Sequence, residues 1–180
     1  MTPTGTVLAL HVWPDGADAP EPRNRLDLTF EGAPEDRHAG LTMLSDTRTK
    51  TVYPRGTTIR NHRQLSLLSA EELALIAANL GLDVLAPGVI ADNICLTGAA
   101  DLTSLPRMTR LEFSSGAVLM TGGVNTPCTI AGGMVERAYG GPPRAKFPKA
   151  AWNLRGITAW VDRPGAIAVG DGVVMHRPHP

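Results

Sequence analysis

Glycine and proline interrupt this chain throughout, and their frequency limits what it can fold into. Nineteen glycines and fifteen prolines stand among 180 residues, which favours many turns and short elements over long helices. One segment escapes the pattern. In "RQLSLLSAEELALIAANLG", Gln64 to Leu68 read as a short strand and Ser69 precedes Glu72 by three residues, the spacing of a capping box. Leu73, Ile76, Ala77 and Leu80 then share one helical face, and Gly81 stands where a left-handed cap belongs. The pattern predicts a helix over 70–80.

The remaining pieces read mostly as β-structure. Residues 6–14 form a strand candidate, and in 26–30 Leu26, Leu28 and Phe30 alternate with Asp27 and Thr29. Residues 14–25 read as a proline-containing loop, and 31–62 as a long polar loop of the kind that is more often functional than incidental. Residues 92–97 and 155–161 suit strands, 110–121 a hairpin, and 166–175 further β-sequence. Residues 122–130, "GGVNTPCTI", read as a glycine-rich bend leading to Cys128. A short helix is expected over about 129–138, weakened by Gly132 and Gly133. Residues 140–150 read as a basic loop, and 176–180 as a frayed tail. With no internal repeat, the whole of 1–180 is expected to form one domain, a barrel of short, largely antiparallel strands.

Composition narrows the function classes. Seventeen basic and seventeen acidic residues balance, which gives no bulk attraction for nucleic acid. No apolar run reaches the roughly 18 residues of a membrane helix, and the start, "MTPTGTVLAL", lacks the positive flank of a secretory signal. Two cysteines make neither a disulfide framework nor a four-thiolate iron–sulfur site. A cytoplasmic protein with free thiols is expected.

In order, "EDRHAG" (35–40), "RQLSLLSAEEL" (63–73), "IADNICLTG" (90–98), "LPRMTRLEFSSGAVL" (105–119), "NTPC" (125–128) and "LRGITAWVDRPGAIAVGD" (154–171) resemble the segments of MOSC domains, named for the C-terminal domain of molybdenum cofactor sulfurase. The resemblance covers nearly the whole chain. It implies a β-barrel and, as in the best understood members, the molybdenum cofactor (molybdopterin) with its metal held by one thiolate, here Cys128. Two relatives, the mitochondrial amidoxime-reducing component and bacterial proteins that detoxify N-hydroxylated base analogues, reduce N-hydroxylated compounds. Glu35 replaces the family's usual glycine, and Ala91-Asp92-Asn93 replaces its usual Gly-Glu-Asn.

The residue chemistry is compatible with those roles. A soft thiolate suits a molybdenum dithiolene, and a helix beginning at Thr129 would favour the Cys128 anion; the plain alternative is a packed structural cysteine. Asn93 and Cys95 share a strand face opposite Ile94 and Leu96. The resemblance puts Asn93 near the cofactor, an ordinary strand-start amide being the alternative, whereas Cys95 reads as core filler. Arg37 offers a planar fork for the pterin phosphate and His38 a proton for a reduced N–O group; otherwise Asp36, Arg37 and His38 simply fix their own loop. Arg63 and Arg155 stand at strand edges and can clamp the same phosphate, although either taken singly reads more simply as an ordinary surface arginine; in the cofactor reading Asn125 lines the site.

Three functions compete. The first is a molybdenum-cofactor oxidoreductase acting on a small-molecule substrate, with a separate electron-donor reductase. The second is a sulfur carrier or cofactor chaperone using a Cys128 persulfide. The third is a ligand-binding barrel without activity.

Overall fold

The computed structural model describes residues 4–178. Seven strands close into a barrel: β1 (Gly5–Val12), β6 (Leu65–Ser69), β7 (Ile94–Thr97), β8 (Arg110–Phe113), β9 (Val118–Val124), β10 (Ile157–Arg163) and β12 (Gly172–His176). Their order around the wall is β12-β8-β9-β10-β6-β7-β1, and β1 pairs again with β12. Every pairing in the wall is antiparallel except β6 with β7. A parallel pair needs a crossover, and α1 (Ala70–Leu80) lies within it.

Alternation explains why the wall is closed and filled. Leu65, Leu67, Ile94, Leu96, Leu119 and Ile157 point inward and are at most 1% exposed. Their neighbours Leu68 and Cys95 point outward into a second core, where α1 packs through Leu73 and Ile76. Cys95 is thus core filler, and burial pushes its thiol up to about 12, with Asp92 and Glu71 adding to the shift. Ile94 and Leu96 lie opposite it, as the period of two requires.

The predicted helix forms with its expected bounds. Ser69 accepts from the Glu72 amide at 3.1 Å, and Gly81 closes the helix at φ 73°. Glu72 does not return the bond to the cap. Its buried carboxylate instead takes the Thr103 amide at 2.8 Å and hydroxyl at 2.9 Å, which ties α1 to the connection after β7.

Several sequence expectations need correction. The 14–25 loop contains β2 (Glu21–Arg23), a strand added to the outer half of β1. The polar stretch 31–62 contains a hairpin of β4 (Thr42–Leu44) and β5 (Thr58–Arg60), whose faces are too exposed to give an apolar alternation. Residues 122–124 are no bend, since β9 continues through them against β10. β3 (Arg25–Leu28) pairs with β11 (Gly165–Ala168) in a separate ribbon. The helix α2 (Thr129–Tyr139) includes Gly132 for a packing reason, because a Cβ there would collide with the Arg144 carbonyl. That close approach seats Phe147, only 1% exposed, in the second core. Residues 140–150 therefore carry a 3-10 turn and α3 (Phe147–Ala150) rather than an open loop. Of the tail, His176 still belongs to β12 and reaches Glu112 at 2.7 Å, while 179–180 lie outside the described residues. Among the described residues no helix is long and apolar enough to cross a membrane.

Candidate functional site

Cys128 is the residue on which α2 starts. Its backbone is extended (φ −140°, ψ 165°), and its thiol is neither fully buried nor used as a cap. The first turn of the helix leaves amides without backbone partners beside it. The side chain opens into a cavity of about 130 Å³ that it shares with Trp13, His38, Arg48, Arg63, Ser66, Asn93, Asn125 and Arg155. No carboxylate lines this cavity among the described residues. Six of the seven residues singled out from sequence meet there: Cys128, His38, Arg63, Asn93, Asn125 and Arg155.

The floor of the cavity is the start of the parallel pair β6/β7. Alternation turns Ser66 outward between Leu65 and Leu67. Its amide donates to Asn93 Oδ1 at 2.9 Å, and its hydroxyl accepts from Asn125 Nδ2 at 3.0 Å and Arg155 Nη1 at 3.4 Å. Asn93 donates to the His11 carbonyl at 3.2 Å and to Asp36 Oδ2 at 2.7 Å. Both of its donors are therefore committed to the protein, and it serves the site as a brace. Asn125, by contrast, makes no hydrogen bond through Oδ1 among the described residues and can offer that oxygen to a ligand.

Arg155 is 6% exposed and donates to the Ile90 carbonyl. No ion pair engages it among the described residues. Burial pulls its guanidinium below the ordinary value, while Asp92 and then Cys128 push it back up. Gly156 puts Arg155 in place: at φ 70° its missing Cβ would collide with the Leu67 carbonyl, so β10 can approach β6 only with glycine there. Arg63 is likewise lowered, first by burial and then by Arg48, with Asp46 and Cys128 opposing. Its Nη1 lies 3.4 Å from Asp46 Oδ2, which Arg48 holds more closely at 2.6 Å.

His38 stands at the mouth. Its ring Nδ1 and its backbone amide both lie 2.8 Å from Asp36 Oδ1. Burial raises the Asp36 carboxyl, but the two bonds from His38 and the one from the Trp13 amide outweigh it and hold the group below its usual range. Asp36 thereby fixes the His38 ring and leaves Nε2 as the nitrogen free to exchange a proton. Arg37 does not join the others. Its guanidinium lies 4.1 Å from the Trp13 ring centroid and donates to the Pro14 and Ala17 carbonyls. It borders an outer basin of about 380 Å³, which His38, Arg48 and Arg63 share with the inner cavity.

Sequence reasoning missed Trp13, Arg48 and Ser66. Ser66 carried a usable signal, being a polar residue set among leucines in a strand. The two departures noted from sequence separate. Glu35 pairs with Arg23 at 2.7 Å on the exterior and does not line the cavity. Ala91 does line it, in the left-handed region at φ 62° where a glycine would be unstrained.

A search of family profiles matches the MOSC domain over residues 35–174. The chain belongs to the MOSC domain family. This MOSC protein is 37% identical over 155 residues to YuaD of Bacillus subtilis, covering 85% of the present chain and 80% of YuaD, whose provisional name refers to metal-sulfur cluster biosynthesis. The crystal structure of YuaD superposes with a TM-score of 0.91 at 33% identity and covers 97% of each chain. YiiM of Geobacillus stearothermophilus shares the fold at a TM-score of 0.65 and 12% identity, over 95% of this chain and 74% of YiiM. The MOSC barrel expected from sequence is thus the fold observed.

Proposed function

We propose that this protein binds the molybdenum cofactor through Cys128 and reduces small N-hydroxylated compounds at that site. One observation carries the reading: a half-buried thiol at a helix start opens into the same carboxylate-free cavity as Arg63 and Arg155. A buried guanidinium that no carboxylate contacts directly, as at Arg155, is costly, and an entering anion such as a pterin phosphate lowers that cost. The inner cavity alone is small, but with the outer basin it falls in the range of about 300–1,000 Å³ that ligand sites occupy. Among the described residues no three His, Cys, Asp or Glu side chains gather to hold a metal. A metal bound here therefore brings most of its own ligands, and one soft thiolate completes a dithiolene-bound molybdenum.

When bound, the cofactor would supply the electron pair that breaks the N–O bond. The chain's own residues would do the rest. Arg155 and Arg63 hold the anionic end, with Arg48 at the mouth. Asn125 Oδ1 orients a donor group, and His38 Nε2 delivers one proton to the departing oxygen, its ring kept in place by Asp36, while solvent water supplies the second proton, to the nitrogen. Two cysteines give no iron–sulfur cluster, so electrons come from a separate reductase in the cytoplasm.

A second reading has its own support. YuaD's provisional name refers to metal-sulfur clusters, and a half-buried free thiol opening into a cavity can also carry a persulfide. The experiment that separates the two is elemental, pterin and intact-mass analysis of protein made in a cofactor-competent host. The first reading expects molybdenum and pterin at near one per chain, lost in Cys128→Ala with unchanged circular dichroism. Unchanged molybdenum in that variant overturns it, and one added sulfur on Cys128 without molybdenum establishes the second.

A further inference from the structure

A second pocket, of about 400 Å³, lies between the 18–22 segment, the 86–89 turn and the second half of α2. It shares no lining residue with the Cys128 cavity. Its walls are the rings of Pro20, Pro22 and Pro87 with Met134 and Ala138, surfaces suited to a flat apolar body.

One polar side chain inside it lacks a partner, and behind it lies a carboxylate, Asp92, that accepts from the Gly88 amide at 2.8 Å through one oxygen only. His11 is 8% exposed and lines the pocket, yet neither ring nitrogen makes a hydrogen bond among the described residues. Its Nδ1 faces Asp92 Oδ2 at 3.8 Å, too far to bond, and that oxygen is also unpartnered although Asp92 is 1% exposed. Buried polar atoms are left in this state at a cost, and an occupant that engages the imidazole lets the ring settle against Asp92. At the rim, Arg137 is exposed and forms no ion pair among the described residues. Asp18 is the acidic residue of the lining.

We propose that this pocket is a second ligand site, for a small aromatic carboxylic acid bearing a hydrogen-bonding group at its far end. The carboxylate meets the Arg137 fork at the rim. The ring lies on the prolines and Met134, and the far group bonds His11 at the floor. The proposal is independent of what Cys128 binds.

The test is NMR titration of methyl-labelled, imidazole-15N-labelled protein with 4-hydroxybenzoate, benzoate and benzamide. Saturable shifts at Met134 and His11 are expected, with 4-hydroxybenzoate tightest and benzamide weakest. Arg137→Gln should weaken both acids about tenfold and erase their advantage over the amide. Ala138→Phe, on the exposed edge of α2, should block all three probes. Should His11→Phe fold, it should bring 4-hydroxybenzoate down to benzoate's level. Absence of saturable shifts at Met134 and His11, or an acid preference that survives Arg137→Gln, overturns the proposal. These readouts remain valid in Cys128→Ala, so failure here is distinguishable from failure of the cofactor reading.

Discussion

The Asn93 side-chain amide donates to the Asp36 carboxylate at 2.7 Å, joining two buried residues 57 positions apart. The bond fastens the 35–40 loop to the barrel, and through Asp36 it reaches His38. Asp36→Ala should therefore cost about 3 kcal/mol, because Asn93, Trp13 and His38 all lose a charged acceptor. Urea denaturation checks this, and a loss below about 1 kcal/mol would show that the loop is held by other contacts.

The same carboxylate has a pH signature. Its folded pKa lies below the ordinary value, so between the two values the unfolded chain binds more protons. Its stabilisation is complete above the unfolded value near pH 4 and is lost as pH falls through the folded value. Glu72 acts in the opposite sense. Burial raises its pKa against the bonds from Thr103, so stability drops as pH climbs from the unfolded to the folded value. Asp36→Asn should flatten the acid limb of a stability profile below about pH 4, and Glu72→Gln should remove the decline that its carboxyl causes above about pH 4.5.

The two thiols should differ sharply. Cys128 should alkylate in the native protein, whereas Cys95, walled in and pushed up to about 12, should react only on unfolding. Mass spectrometry should find one adduct natively and two in denaturant. Arg63→Met should slow the native reaction by roughly threefold or more through loss of a cation beside the sulfur. Equal rates for the two cysteines would remove Cys128 from consideration as a ligand.

Ser66→Ala removes the acceptor shared by Asn125 and Arg155 but keeps the backbone bond to Asn93. The expected cost is about 1–2 kcal/mol of stability, together with lower cofactor occupancy measured by bound molybdenum. Full occupancy in this variant would mean that Arg155 holds its position through Ile90 alone.

Gly156→Ala should be among the most damaging single changes, at about 4 kcal/mol or more, since the new Cβ meets the Leu67 carbonyl in a left-handed backbone. A thermal midpoint within a few degrees of the parent would contradict the close approach of β10 to β6.

Sequence patterns exposed whatever depended on local chemistry. The α1 caps, the alternation around Ile94 and Leu96, and the Cys128 junction were all readable because each is decided within a few residues. The family resemblance added the place of Asn93 and the role of Cys128, and no local pattern joins them to Arg63, Asn125 and Arg155. Hidden from the chain were relations set by closure. Nothing near Ser66 announces that it meets Arg155, because that contact exists only once β6 and β10 pair. Arg37 was misleading for a related reason: its fork fits a phosphate, but in space it stacks on the Trp13 ring and donates to the Pro14 and Ala17 carbonyls. The glycines at 122 and 123 resembled a bend because their role is to let other backbone and side chains approach an extended strand.

The barrel's single parallel pair also limits how this site can change. Where β6 and β7 begin, a side-chain oxygen of Asn93 stands in for the backbone oxygen of a further rung, so the floor of the hollow is also a piece of the wall. Alterations at Ser66, Asn93 or Arg155 will disturb the architecture together with whatever is bound, and laboratory evolution toward a new guest should find its tolerated substitutions at Arg48 and at the exposed Thr126, which also lines the cavity.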